Sequence, residues 1–334
     1  MKNAFKSFLI VGLFLAFQSC KDNPTGPGSS SGGKIVFSMT TGATPYNSGQ
    51  THVHIINADG SGLKQLTFGN HEDMPRWSPD GSQIVFVSDS LGTSLGEPMW
   101  IMNADGSNWR PVWRNPNEPT MAFPGDHPSW SPDGRKIIFS WCTHCEYGTM
   151  IWDIYVADLT TELIEQLTYG DPWRDTTIDY PIGSNGEPVF SPDGKKIYFS
   201  SSRDDSINGT IAGIFSMNPD GSDVQRVIVS SPTLGFHGSP SVSLDGKKLA
   251  FVQGDTSSSA LYISNVDGSN IVKVADPPTG TSVRLPRWAP DSRHVMFISD
   301  SGEGGGIFVI NIDGTNLRKL AVEDSVGYFD WIAE

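Results

Sequence analysis

The chain has 334 residues, with 23 Lys and Arg against 37 Asp and Glu, a formal charge of −14. So acidic a protein is a poor partner for nucleic acid, whose phosphates are held by clustered Lys and Arg, and for electrostatic adhesion to anionic lipid. Its three cysteines, Cys20, Cys142 and Cys145, fit an exported chain in which Cys142 and Cys145 are able to pair.

Lys2 and Lys6 make a short basic start, Phe8 to Phe17 is mostly apolar, and Ser19-Cys20 follows. This is the layout of a secretory signal over residues 1–19, too short to span a bilayer as a stable helix. Cysteine after a small residue points to a lipoprotein acylated at Cys20, with Phe17 and Gln18 standing where small or aliphatic residues are usual. The other reading is an exported protein whose Cys20 is incidental. With Lys2 and Lys6 removed, 21 basic side chains face 37 acidic ones, a formal −16. Residues 20–33 are Pro, Gly and Ser without an apolar anchor and read as a flexible tether. Their Gly28-Ser29-Ser30-Ser31-Gly32 fits G-x-S-x-G but lacks the strand and helix that a nucleophile elbow needs.

From residue 34 onward one pattern repeats. PRWSPDGSQIVF begins at Pro75, PSWSPDGRKIIF at Pro128 and PVFSPDGKKIYF at Pro188, with looser copies at Pro240 and Pro286. Each copy starts with a short apolar piece ending at Trp77, Trp130, Phe190, Val242 or Trp288. An S-P-D-G type turn follows, then an alternating run, a variable loop, another apolar run and a second turn such as NADGS or NPDGS. Pro presets φ for a type I turn, Asp bonds its own backbone, and Gly takes the left-handed position. Runs of strand length on both sides make one unit a four-stranded antiparallel meander. No long 3.6-residue apolar stripe occurs, so helix is expected to be minimal. The copies recur at or just above the roughly 40–50 residues of a propeller blade. A lone meander has two faces and cannot bury both. Stacking blades around an axis buries them, with the Trp or Phe packed between neighbours.

The sixth copy is split. YFDWIAE supplies its aromatic, Trp331, and GGKIVFSMT from residue 32 supplies its alternating run. The C-terminal strand is therefore expected to complete the N-terminal blade and close the ring, which hides its edges. The fold class is all-β: one six-bladed β-propeller of four-stranded antiparallel blades over residues 34–334.

W-S-P-D-G followed by I-x-F-x-S and N-x-D-G-S resembles the WD40-like repeats of the TolB propeller, over essentially residues 33 to 334. The resemblance implies the propeller fold and, for TolB itself, a part in the Tol–Pal system of the cell envelope. TolB carries an α/β domain ahead of its propeller, where this chain is expected to have only the tether. Similar propellers occur in oligogalacturonate lyases and in front of the catalytic domain of dipeptidyl peptidase IV relatives.

Loops leading into the innermost strands should crowd one mouth of the channel. They carry His71, Glu72, Asp73, Asp126, His127, Glu187, His237, Arg284 and Tyr328. Such a polar ring suits a peptide, a sugar or a cation such as calcium, although channel mouths are polar in any case. No EF-hand-like loop is present. Trp141-Cys142-Thr143-His144-Cys145-Glu146 is placed in a loop of the third blade. There Cys142 and Cys145 form a local disulfide, stay as thiols, or join His144 as three ligands of a metal site that needs a fourth. His52 and His54 share one face of a strand expected to be half-exposed. The acids around Asp89, Asp204-Asp205, Asp255 and Asp300 read as turn chemistry. No Ser, His and Asp are ordered into a triad.

The function expected first is a non-enzymatic binding platform: a monomer tethered to the envelope by lipid alone, without cofactor or nucleic acid, docking a protein or peptide partner. A glycan-cleaving lyase using His127 or His237 is the enzymatic alternative. A glycan-binding module at the cell surface is the third.

Overall fold

The computed structural model describes residues 32–333, apart from 43–48, 70, 90–97, 116–117, 123–124, 145–150, 171–183, 203, 206–208, 211–212, 230–235, 255–257, 278–281, 301–305 and 321–325. The expected signal, the tether as far as residue 31 with Cys20, and Cys145 and Asp255 therefore lie outside the described residues. No helix occurs among those described.

Six four-stranded antiparallel sheets follow one another around an axis. From the axis outward, blade II is Glu72–Trp77, Gln83–Ser88, Met99–Asn103 and Arg110–Pro111. Blades III to VI begin at Asp126–Trp130, Asn185–Phe190, Phe236–Val242 and Ser282–Trp288. Blade I has the expected split: its innermost strand is Val326–Ile332, pairing with Lys34–Thr41 in a register that sets Phe329 opposite Phe37 and Trp331 opposite Ile35. Two short ribbons, one of them pairing Asp204–Asp205 with Gly209–Thr210, stand outside the blades.

The repeat sequence explains the local geometry. In blade II the Ser78 hydroxyl donates to Asp80 at 2.7 Å and accepts from the Gln83 amide at 2.9 Å, while Asp80 also accepts from the Ser82 amide. Gly81 takes φ 69° at the end of that turn. Only a residue without Cβ enters that region at no cost, and Ser292 (φ 54°) stands there in blade VI.

Burial follows from the alternation. The phenylalanine of each alternating run, Phe37, Phe86, Phe139, Phe199, Phe251 and Phe297, is fully buried. Hydrophobic clusters form between neighbouring blades. Trp77 joins Val36 and Val53 of blade I to Ile84 and Phe86 of its own blade, Trp130 joins blade II to blade III, and Trp331 packs against Met296 and Val309 of blade VI. The Trp130 indole donates to the Arg76 carbonyl and the Trp288 indole to that of Ser241. The aromatic that ends the first strand of every blade but V, where Val242 stands, is thus inter-blade mortar, as its spacing suggested.

Two expectations need correction. Trp141 to His144 is not loop but the end of the strand Lys136–His144, because its register with Ile151–Asp158 continues past Ser140. The strand with His52 and His54 is not half-exposed. Both side chains are buried, and each has its own partner: His52 bonds Glu72 at 3.1 Å, and His54 stacks on Phe37.

Candidate functional site

Proline cannot donate to a β-ladder, so it is confined to edges and bulges. The innermost strands are the edges facing the axis. Each of the five with a proline breaks register there, between Asp73 and Arg76, Asp126 and Ser129, Gly186 and Val189, Gly238 and Ser241, and Arg284 and Arg287. The residue before the proline lies in the left-handed region: Met74 at φ 53°, His127 53°, Glu187 53°, Ser239 54° and Leu285 52°. For residues other than glycine this costs on the order of 1–3 kcal/mol each. A bulge re-aims the side chain it carries, and these five converge around the axis together with Tyr328 of blade I.

The polar members of this ring are linked. The Tyr328 hydroxyl lies 3.2 Å from His127 Nε2, with the two rings edge to face. The same nitrogen is 3.9 Å from Glu187 Oε1, with about a quarter of each side chain reachable by solvent (23% and 25%). Glu187 accepts from the Ser239 amide and hydroxyl and from the Ser200 hydroxyl. Burial, with some help from Arg76 and Arg287, holds the His127 imidazole below its ordinary pKa. Burial opposes ionisation of Glu187, but His127 and the hydrogen bonds from Ser239 and Ser200 outweigh it and keep the carboxyl low. Burial and the nearby carboxylates push the Tyr328 phenol up. At neutral pH this is a neutral imidazole hydrogen-bonded to a phenol, beside a carboxylate.

This arrangement has a pH signature. Histidine in the unfolded chain takes up its proton near pH 6.5, while folded His127 resists protonation below that. The unfolded state then binds more protons, so stability falls as pH drops from about 6.5 towards the depressed folded value. His127→Gln is expected to flatten unfolding free energy against pH in that window, as read by urea titrations at stepped pH. An unchanged slope would contradict the assignment.

A cavity of about 450 Å³ extends from this ring along the axis, within the roughly 300–1,000 Å³ of ligand pockets. His127, Glu187, Ser239 and Leu285 line its inner end. Turn residues, among them Pro79, Pro132, Leu244 and Ala333, form an exposed rim. It therefore opens at the S-P-D-G face, opposite the mouth at which the sequence placed the site. His127 and Glu187 belong to both, and Tyr328 touches the ring. The remaining expected residues do not line the cavity. Glu72 is fully buried in the junction of blades I and II, taking the His52 imidazole and the Gly69 amide. Asp73 and Asp126 are half-buried beside the ring, where Asp73 accepts from the Met74 amide. His71 bridges to Thr51, and Arg284 is exposed at the far face. His237 lies opposite Gln253, with its side chain outside the described residues. Cys142 is disulfide-bonded, which leaves it no thiolate for a metal. His144 stands opposite Ile151, with its side chain likewise outside the description. Among the described residues no three His, Cys, Asp or Glu side chains gather as a metal site.

Sequence reasoning missed Arg76, Arg287 and Asp330, which line the cavity. Each follows the proline or its counterpart Phe329 by one residue. Superposing the repeats on that position would have put two arginines and one aspartate in a single ring.

A family model described as the TolB beta propeller domain matches residues 117–327. An uncharacterized protein of Agrobacterium fabrum is 28% identical over 224 residues, which is 64% of this chain and 65% of that one. Tol-Pal system protein TolB of Rhizorhabdus wittichii is 38% identical over 84 residues, 25% of this chain and 17% of the relative. This chain spans less than two thirds of the length of either. Among solved structures, TolB from Acinetobacter baumannii superposes with a TM-score of 0.69 at 22% identity, over 91% of this chain and 67% of that one. An oligogalacturonate lyase in complex with manganese gives 0.57 at 14% identity, over 83% and 72%. At such identities the structural likenesses establish the propeller fold, and the match to the family model establishes membership. The chain belongs to the TolB beta propeller domain family.

Proposed function

We propose that this protein is a non-enzymatic docking platform of the cell envelope, tethered through lipid on Cys20 and acting as a monomer. An extended segment of a partner protein enters the channel from the S-P-D-G face. The observation that carries this reading is the cavity: about 450 Å³ deep in a rigid ring, with prolines and Leu244 at its rim and hydrogen-bonding side chains at its inner end. A stiff apolar collar loses little entropy on binding, and polar groups at the bottom fix register. Kinship with Tol-Pal system proteins supports an envelope setting and a protein partner.

The test is a photo-crosslinker placed at Leu244, which is 62% exposed on the rim, and in a second version at Leu163, 59% exposed on an outer strand. In the native host, irradiation is expected to give a discrete protein adduct from position 244 that is absent from position 163. Adducts equal at both positions, or none at 244, would overturn the reading.

A further inference from the structure

Just beyond the ring, towards the S-P-D-G face, the cavity holds a group of charged side chains that the docking reading leaves unused. Arg76 is only 5% exposed. Its Nη1 donates to the carbonyls of Pro75 at 2.9 Å and Phe329 at 3.0 Å. Arg287 lies half-buried, with Nη1 on the carbonyl of Pro286 at 2.9 Å. Asp330 uses Oδ2 to accept from the Trp77 amide at 3.0 Å. Among the described residues, neither guanidinium makes an ion pair, and Nε and Nη2 of both have no hydrogen-bond partner. None of these four nitrogens is sealed in protein without a partner, so their open side is the cavity that both residues line.

The whole chain is −14, and the cavity sets Arg76 and Arg287 against two acids, Asp330 and Glu187, of which Glu187 is already engaged by Ser239 and Ser200. Burial pushes the Asp330 carboxyl up, with the arginines only partly offsetting it. Burial and the field of Arg76 bring Arg287 down to about 9, still fully charged at neutral pH. Two partly desolvated cations with free, forked N–H groups are built to receive a planar anion with two oxygens.

We propose that Arg287 and Arg76 anchor a carboxylate of the docked segment, carried by an acidic side chain or by a C-terminus that enters end-on. This rests on the docking reading above and names the chemistry it selects. The rim of proline and leucine suits the apolar flank of such a segment. The acidic exterior discourages long acidic runs, so the geometry favours one carboxylate at the leading end.

The experiment uses the folded full chain, immobilised, and synthetic pentapeptide pools in four forms: with or without Asp and Glu, each with a free or an amidated C-terminus. Bound peptides are identified by mass spectrometry and the strongest are titrated individually. Retained peptides are expected to carry at least one carboxylate. Replacing it, by amidation or by Asp→Asn in the peptide, should weaken binding at least about tenfold, and the two arms tell a terminal source from a side-chain source. Arg287→Gln should cost a similar factor, Arg287→Lys less, and raised salt should weaken wild type more than Arg287→Gln. Among the described residues Arg287 makes one hydrogen bond, to its neighbour's carbonyl, so its variants should fold, and the peptide-side changes test the anchor in unaltered protein. Neutral amidated peptides bound as well as acidic ones would overturn the anchor and leave docking intact. Retention of no peptide in any form would overturn docking and anchor together.

Discussion

Phe329→Ala is expected to destabilise the propeller by about 3–5 kcal/mol, the usual cost of emptying a buried phenylalanine site. Phe329 is 1% exposed, sits opposite Phe37 in the closing pair of strands, and packs in the cluster shared by blades VI and I. Its loss strikes the seam where the two ends of the chain meet. Cavity formation there cannot be relieved by local collapse, because the flanking strands are held by neighbours on both sides. A lowered urea midpoint at unchanged slope would report lost stability alone, whereas a reduced slope would mean that the seam opens before the rest. Removing Val326–Ile332 altogether should be worse. Lys34–Thr41 would become the exposed edge of blade I, a template for pairing with other chains, and the product is expected to aggregate. A truncated chain that stays monomeric with a wild-type midpoint would refute the view that this strand closes the ring. Tyr328→Phe is the contrasting change. It removes only the hydroxyl near His127 and should cost about 1 kcal/mol.

Asp153→Ala is the second large effect. This aspartate is 1% exposed. Its Oδ1 accepts from the Thr168 hydroxyl at 2.9 Å, the Gly170 amide at 2.9 Å and the Asn185 amide group at 3.1 Å. Its Oδ2 accepts from Thr143 at 2.9 Å and Gln166 at 3.4 Å. It thereby ties the outer turn of blade III to the first strand of blade IV. Truncation takes the shared acceptor from the Thr168 hydroxyl, the Gly170 amide and the Asn185 amide group, at about 1–3 kcal/mol for each buried hydrogen bond left unmade. A loss of roughly 3–5 kcal/mol follows, measured by urea unfolding. Asp153→Asn keeps the shape but turns a donor towards donors, and should recover only part of it. Glu72→Ala, which removes the corresponding tie between blades I and II with fewer bonds and one carboxylate oxygen already unpartnered, should cost less. If Glu72→Ala were instead the more damaging, the two residues would not be equivalent ties.

The contrast between Glu72 and Asp330 shows where sequence reasoning reaches its limit. Both are acids on innermost strands. Glu72 looked like a channel residue because it sits in a loop leading to the axis, and Asp330 drew no notice beside Trp331. Strand alternation says which residues share a face, but the bulge before each proline resets that alternation midway along the strand. Glu72 lies before the reset and turns into the blade junction. Asp330, Arg76 and Arg287 lie after it and turn to the cavity. His127, Glu187 and Tyr328 could each be singled out by type, yet they come from blades III, IV and I, and no spacing along the chain records that they meet.

What the sequence determined by itself was everything set by short-range rules. S-P-D-G and N-x-D-G-S fix turns through proline's φ, aspartate's hydrogen bonds and glycine's freedom. The I-x-F-x-S runs fix which residues are buried, and the split sixth copy dictates that Val326–Ile332 must join Lys34–Thr41. Tertiary structure alone decided which side chains gather at the axis and at which face the cavity opens. The first kind of information is written within ten residues, where local sterics dominate. The second depends on bulges and blade packing that bring together groups from opposite sides of a closed ring.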